Sequence, residues 1–438
     1  MLKMGCAKLD VTPDFPVYLR GYGSRNSRTV KVENPIEAGV IALEQDGKKV
    51  LIITADIIGI YVTFCRRIAA AVKAEFGIDY PDIYIAGSHT HFAPGFEAFT
   101  VTNPGGELDL GAYPADERYF EFWLGKVKNG IRYALADLEE VSLESAVIPV
   151  SSIAFNRRTV RKADGKVTTN YIYPKNPDDY HFSPIDQDLH VWRFMKANRP
   201  KALLARYSCH PVTGGAAMDA ISGDYPGMFK QAVQEHLGCP GFFLLGTAGD
   251  VVPMRRNGAS RRDLGEVLAS TIRLNELVFR KTDDFKLAAA NFTVPGKLSR
   301  TAGYDRKQKE ARWQAEVERA KREMLPVDEA LIAESYRYDI ADRYPSDDVA
   351  IPVQMLRLGH QVLVGLPFEV LSAIGLELRA ACPEALVTTI TGGHEGYLPL
   401  AADFPKGGYE TDQGSNFAPA TGNDILNACI EAVKKFRS

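Results

Sequence analysis

Two histidines stand two residues apart in the stretch SHTHFAPG, directly after the apolar run DIYIAGS, which predicts a short buried strand. Side chains two positions apart on an extended backbone point to the same side, so His89 and His91 can face one cavity. Imidazole nitrogen is a common zinc ligand, and the chain has only eight histidines. The pair indicates a metal or catalytic site. The alternative for each member is a hydrogen-bonded core histidine.

A catalytic zinc usually takes three or four protein ligands, so the pair needs further donors. His210, in YSCHPVTGG, also follows an apolar strand and precedes a Gly-rich loop, which makes it the best third histidine. The alternative is a loop histidine packed on Pro211. Glu369, in LVGLPFEVLS, follows a strand and is predicted to open a helix. There it either completes the metal site or complements the helix dipole.

The remaining histidines share no common context, and we interpret them as structural: His181, His190, His236, His360 and His394. Asp250, in GTAGDVVP, ends a predicted buried strand. We expect it to organise the site through hydrogen bonds, with direct metal binding as the alternative.

The elements that must position these residues alternate between strands and helices, which is typical of an α/β (α+β) fold. Helices are predicted for FCRRIAAAVKAEFG, ending at Gly77, and for about Asp116 to Leu138. Four polar or Gly-rich loops follow predicted strands, after Gly87, Ser208, Leu245 and Ile390. We expect one large mixed-sheet domain, with helices packed on the sheets and a metal site in loops at the strand ends.

Composition excludes several classes of protein. The net charge of −3 gives no basic field that would hold nucleic acid. No segment reaches the roughly 18 apolar residues of a membrane span, and the N-terminus lacks the pattern of a signal peptide. We therefore expect a cytoplasmic protein, or a secreted or periplasmic one if a signal peptide was removed. The six cysteines form no CxxC pair and are predicted to be buried thiols.

A strongly charged segment, YDRKQKEARWQAEVERAKREM, predicts a helical insertion at about 304–340 within a single domain that spans 1–438. We interpret it as a solvated surface helix. The alternatives are a lid over the site or an oligomer contact.

The residues described so far resemble the neutral/alkaline ceramidases, zinc-dependent amidases that cleave N-acyl sphingosines. Successive stretches are similar to motifs of that family: GCAKLDVTP with GYGSR, SHTHFAPG, FNRRT, HPVT and LPFEVL. The stretch HEGYLPLAADFPKGGYET keeps the family's spacing between two functional tyrosines. The resemblance covers nearly the whole chain.

Carried over residue by residue, the resemblance implies a set of zinc ligands: His89, His210, Glu369 and Tyr397. It also implies that three side chains surround the scissile amide: His91, Arg157 and Tyr409. Arg157 is preferred over Arg158 because it follows Asn156, as in the family motif. The implied activity is hydrolysis of a linear N-acyl amide by metal-activated water. His91 would transfer the proton, and Arg157 and Tyr409 would hydrogen-bond the oxyanion or the substrate.

Three departures from the family pattern limit what the resemblance implies. The family's Gly-Asp-x-Ser-Pro-Asn is GDVVPM here, so Val252 and Met254 replace a serine and an asparagine. His394 stands at the first tyrosine of a Tyr-x-x-Tyr pair. The immunoglobulin-like domain that ceramidases carry after this region is expected to be missing, because the chain ends at Ser438. A shared fold and metal site are expected, whereas ceramide is not established as the substrate.

Several alternatives stay open at the level of sequence. The substrate is a small-molecule or lipid-like N-acyl compound, or an ester-like sugar derivative. A barrel-type metal-dependent amidohydrolase also opens with a His-x-His motif. A non-catalytic zinc-binding or glycan-binding protein on the same fold is the third hypothesis, and the lost serine favours it.

Overall fold

The structure, a computed structural model, describes residues 1–22, 25, 28–96, 99–102, 108–113, 116–283, 285–298, 346–436 and six positions between 314 and 324. Most of the charged insertion predicted at 304–340 lies outside these residues. The α-helices of the described chain, α1 to α7, are Val62–Phe76, Glu117–Ala136, Asp224–Leu237, Ser260–Leu274, Ser372–Ala381, Tyr409–Asp412 and Thr421–Phe436.

The helices predicted to end at Gly77 and to span about Asp116 to Leu138 are confirmed. Helix α1 ends where Gly77 adopts a left-handed conformation with φ of 69°, and its N–H donates to the carbonyl of Lys73. Helix α2 begins after Asp116, whose carboxylate accepts a hydrogen bond from the N–H of Tyr119.

Three sheets form the body of the described chain, each with antiparallel and parallel pairing. The N-terminal sheet has the spatial order Ile83–Gly87, Lys48–Ala55, Glu37–Gln45, Lys3–Asp10 and Glu139–Glu140. The central sheet has the order Gly241–Leu245, Arg199–Tyr207, Asp188–Lys196, Ser142–Pro149 and Arg280–Lys281. The C-terminal sheet has the order Leu287–Lys297, Asp348–Leu358, Gln361–Gly365 and Ala385–Thr388.

The same order of elements occurs in each sheet: an antiparallel hairpin, a helix and then a parallel edge strand. In the N-terminal sheet, the hairpin 37–55 is followed by α1 and by Ile83–Gly87. Helices α3 and α5 take the same place in the central and C-terminal sheets. No internal repeat is detectable in the sequence, so the recurrence is one of topology. Each sheet thus places two parallel strand ends side by side.

The sheets lie inside the molecule and helices cover their outer faces. Along one strand, Val40 and Ala42 pack in a cluster with α1 and α2, whereas Ile41 and Leu43 face the other way. That second face joins a core cluster with residues of the other two sheets, Trp192 among them. Burial on both faces explains why the inner strands are continuous apolar runs rather than alternating ones.

Shorter ladders lie in the loops between the main elements. They pair Val17–Tyr18 with Arg28–Thr29, Phe99–Thr102 with Leu108–Tyr113, Arg158–Arg161 with Val167–Thr169 and Tyr180–His181, Ala154–Asn156 with Val251–Pro253, and Glu369–Val370 with Tyr397–Leu398. All six cysteines are free, and five of them are buried as predicted. Within the described ranges, we find no helix with the length and apolarity that a membrane span requires.

Candidate metal centre

The candidate ligands lie just beyond the carboxyl ends of strands in all three sheets. His89 follows Ile83–Gly87, His210 follows Arg199–Tyr207, and Glu369 follows Gln361–Gly365. In each case the strand belongs to a parallel pair, and parallel pairs direct their loops to one edge of the sheet. The sheets therefore bring together residues that are up to 280 positions apart, since 369 − 89 is 280.

Three side-chain atoms, from three different residues, lie within hydrogen-bond distance of Nε2 of His89. Nε2 of His89 lies 2.9 Å from Nε2 of His210 and 3.4 Å from Nε2 of His91. Oε2 of Glu369 lies 3.2 Å from Nε2 of His89 and 3.4 Å from Nε2 of His210. His89, His210 and Glu369 are all buried. The structure thus places these four predicted site residues in one cluster.

The second ring nitrogens decide what this cluster can bind. Nδ1 of His89 lies 2.5 Å from the carbonyl of Ile58, and Nδ1 of His210 lies 2.8 Å from the carbonyl of Ala248. A carbonyl only accepts, so both Nδ1 atoms carry the proton and both Nε2 atoms present lone pairs. Oε2 of Glu369 is buried without a hydrogen-bond donor. Unprotonated nitrogen and oxygen atoms this close repel one another unless a cation lies among them, and they match the donors that zinc prefers.

Backbone strain accompanies this arrangement. His89 has a φ of 66°, in the left-handed region where a residue other than glycine costs about 1–3 kcal/mol. Its N–H donates to the carbonyl of Ile57 at 2.9 Å. Gly21, at a φ of 101°, lies against the ring of His91, and a Cβ there would overlap Nδ1. The strained turn and the glycine contact together fix both rings of the His-x-His motif.

Burial and mutual repulsion set the protonation of the cluster. Burial and the neighbouring imidazoles lower the pKa of His91 and of His210 well below their usual value. Burial opposes ionisation of Glu369, but a positive charge on the adjacent His89, when that ring is protonated, lowers the pKa of the carboxyl, and so does the hydrogen bond from His394. Neutral imidazole and ionised carboxylate are the forms that bind metal.

Arg157 connects the cluster to the two predicted tyrosines. Its Nη2 donates to the hydroxyl of Tyr397 at 2.9 Å, and its Nε donates to Oε1 of Glu410 at 2.7 Å. Tyr397 is the register partner of Glu369 in a parallel ladder, which sets the two side chains next to each other. The ring of Tyr409 lies 5.5 Å from that of Tyr397, and burial raises the pKa of Tyr409 to about 12. Near neutral pH the Tyr409 phenol therefore keeps its proton and can donate.

Asp250 and Asn156 are hydrogen-bonded to each other and support the backbone at Arg157. Oδ2 of Asp250 accepts from Nδ2 of Asn156 at 2.8 Å, and Oδ1 accepts from the N–H and hydroxyl of Ser372 at 2.8 and 2.7 Å. The backbone carbonyl of Asp250 also accepts from the N–H of Arg157 at 2.7 Å. Both carboxylate oxygens are thus engaged with donors, which favours the organising role over direct metal binding.

A second acidic cluster in the central sheet has a different character. Asp186, Asp188 and His190 offer ligand atoms within 4.8 Å of one another. Nη1 of Arg379 lies 3.0 Å from Asp188 and 3.3 Å from His190, and Nη1 of Arg206 lies 2.8 Å from Asp186. The guanidinium groups already supply the cations, so this cluster is a partly buried ion network.

No protein-family model matches the chain, and no curated protein matches it. Its fold is similar to that of the neutral ceramidase from Pseudomonas aeruginosa, with a TM-score of 0.74, 16% sequence identity, and 100% of this chain and 74% of that chain covered. A solved structure of a ceramidase complexed with C2 gives a TM-score of 0.75 at 16% identity, over 100% and 75% of the two chains.

The chain has the ceramidase fold. The predicted fold class and the resemblance drawn from motifs are thus confirmed at the level of fold. The barrel-type amidohydrolase hypothesis is wrong, because such a barrel needs all-parallel strands and the main ladders here are mostly antiparallel.

Within the ceramidase fold, one sequence interpretation needs correction and two contributors were missed. Glu369 does not open a helix: it lies in a two-residue strand, three residues before α5 begins, so the helix-dipole alternative is wrong.

His394, interpreted as structural, has Nε2 3.2 Å from Oε1 of Glu369. Glu410 was not singled out, although its adjacency to Tyr409 in a Tyr-Glu pair was a usable signal. Tyr397, Arg157 and Tyr409 had no signal apart from the resemblance.

Val252 and Met254, the two residues that depart from the family motif, belong to a small apolar cluster. Val252 is fully buried, pairs with Phe155 across a short ladder and packs with Val212. Tyr22 and Met254 pack against the same cluster. At the position where the resemblance implies a serine, this chain has apolar contacts beside the loops of the candidate metal centre.

We predict that Val252→Ser destabilises the protein. The substitution removes buried methyl groups and leaves a hydroxyl among apolar side chains, at a combined cost of about 2–4 kcal/mol. Chemical denaturation of the wild type, Val252→Ser and Val252→Ala measures this cost, since the alanine variant has the cavity without the hydroxyl. An unchanged free energy of unfolding in Val252→Ser would contradict the apolar role.

Proposed function

We propose that the chain is a zinc-dependent hydrolase of the ceramidase type, which cleaves a linear N-acyl amide bond with water. The observation that carries the proposal is the convergence of His89, His210 and Glu369, whose lone pairs face one another at 2.9–3.4 Å. With Tyr397 beside them, these residues would hold the zinc ion. Zinc in such a site polarises a carbonyl group and lowers the pKa of water to about 7.

The surrounding side chains fit the steps that amide hydrolysis requires. His91, with Nε2 3.4 Å from Nε2 of His89, lies where a base can take a proton from water and return it to the leaving nitrogen. Arg157 is held by Glu410 and presents a fixed positive charge at the hydroxyl of Tyr397. Tyr409 adds a protonated phenol, so two donors are available to a developing oxyanion, each typically worth about 3 kcal/mol.

We propose an N-acyl amine or a related small or lipid-like amide as the substrate. The fold likeness to a neutral ceramidase supports the amide bond. Tyr171, 44% exposed and 6.0 Å from the ring of Tyr409, offers an aromatic surface at the edge of the site. Such a surface can pack an acyl chain or a sugar ring.

The test is zinc-dependent turnover by the metal-free protein after zinc is added back. The substrate panel runs from ceramide to short N-acyl amines, and the measurement is release of the free acid. We expect hydrolysis of at least one N-acyl substrate in the wild type and none in His210→Ala. Binding of one zinc equivalent without turnover on the whole panel would contradict the amidase proposal and favour the non-catalytic alternative.

A further inference from the structure

We propose that His394 is a positioning residue for the metal centre, which holds one oxygen of Glu369 so that the other is available as the ligand. The inference rests on the proposed function. Nε2 of His394 lies 3.2 Å from Oε1 of Glu369, while Oε2 is the oxygen that faces His89 and His210. Partners of this kind orient ligating carboxylates and typically contribute a factor of about 10–100 to metal affinity.

The direction of the hydrogen bond follows from the chemistry of the two groups. An ionised carboxylate only accepts, so Nε2 of His394 carries the proton and donates to Oε1. A protonated nitrogen has no lone pair for a metal. Although the rings of His394 and His89 are only 5.5 Å apart, His394 therefore acts through Glu369 rather than as another ligand.

The position of the His394 ring is fixed by the backbone around it. Gly59 lies against the imidazole, and a Cβ there would overlap Cβ, Cγ and Nδ1 of His394. The loop that carries His394 is hydrogen-bonded to the segment of Glu369: the N–H of Glu395 donates to Pro367 at 2.7 Å, and the N–H of Glu369 donates to Gly396 at 2.8 Å. A glycine at position 59 and a paired loop thus hold the donor in front of the carboxylate.

The experiment measures zinc affinity by competition with a chelator, together with the visible absorption of the Co²⁺-substituted protein. His394→Phe keeps the ring and removes the donor, and we expect it to weaken zinc binding about 10- to 100-fold. His394→Gln retains an N–H donor and should restore most of that loss. Gly59→Ala leaves the imidazole chemistry unchanged but displaces the ring, so it should weaken binding in the same direction as His394→Phe.

Each outcome bears on the proposal. Equal zinc affinity in the wild type and His394→Phe would overturn it, while leaving the proposed zinc site intact. A loss in His394→Gln as large as in His394→Phe, with a changed Co²⁺ spectrum, would make His394 a ligand and overturn the positioning role. Absence of zinc binding in the wild type would instead remove the proposed function and this inference with it. Thermal unfolding of the metal-free variants confirms that each one is folded.

Discussion

Glu369→Gln is expected to lose zinc binding and, with it, catalytic activity. The substitution keeps the shape of the side chain but replaces Oε2, the buried carboxylate oxygen that has no donor of its own. Without its negative charge, the site offers a divalent cation two imidazoles and the Tyr397 phenol but no ionised carboxylate. We expect the zinc Kd to rise by more than the roughly 100-fold typical of losing an outer-sphere partner, and hydrolysis of N-acyl substrates to fall to background at micromolar zinc.

Thermal unfolding with and without zinc gives a second measure of the same loss. A ligand present at 1,000 times its Kd stabilises the folded state by about 4 kcal/mol, and Glu369→Gln should lack this gain. Glu377→Gln is the matched control, since Glu377 is exposed and lies eight residues further along the chain. If Glu369→Gln binds zinc like the control, Glu369 is not a ligand.

The sequence alone predicts those candidate site residues that lie next to strong local patterns. His89 and His210 each come after a run of apolar residues, and such runs predict buried strands whatever the rest of the fold is. A polar residue directly after a buried strand lies at the edge of a sheet, where α/β folds bind ligands. The identity of the two histidines and the general fold class were therefore predictable from local sequence.

The remaining contributors depend on contacts between distant loops, which local patterns do not encode. The strand that holds Glu369 has two residues and exists only because it pairs with Tyr397–Leu398. No propensity predicts so short a ladder, and the pattern LPFEVL by itself predicts the start of a helix. His394 was missed for a related reason, because its loop is polar and its partner is the carboxylate of that same isolated strand.

Arg157 and Arg158 are neighbours in the sequence, and local sequence alone does not distinguish which of them belongs to the candidate site. Both side chains are buried and both contact Glu410, so burial does not separate them. They differ in what else they reach: Arg157 donates to Tyr397, whereas Arg158 lines a separate cavity of about 360 Å³ with Asp403. The family motif selects Arg157 rather than Arg158 as the site residue. Of the two arginines, Arg157 is also the one whose side chain donates to Tyr397.

Arg157→Lys is expected to lower kcat by about 10²- to 10³-fold at saturating zinc. Lysine keeps the positive charge, but its three N–H donors share one nitrogen and cannot reproduce the planar fork in which Nε donates to Glu410 and Nη2 donates to the hydroxyl of Tyr397. Loss of one preoriented donor to an oxyanion costs about 2.7–4 kcal/mol of transition-state stabilisation, which corresponds to this factor. The measurement is kcat and KM at saturating zinc, together with the zinc Kd.

The adjacent residue supplies the control for this prediction. Arg158→Lys makes the same chemical change one position away, at a side chain that contacts Glu410 at 3.2 Å but does not donate to Tyr397. We expect its kcat to stay within a few-fold of the wild type, because the Arg157 donor at the candidate metal centre is intact. A larger loss of kcat in Arg158→Lys than in Arg157→Lys would reverse the assignment. Parallel losses in both variants, with lower thermal stability, would instead place the effect in Glu410, the carboxylate that both arginines share.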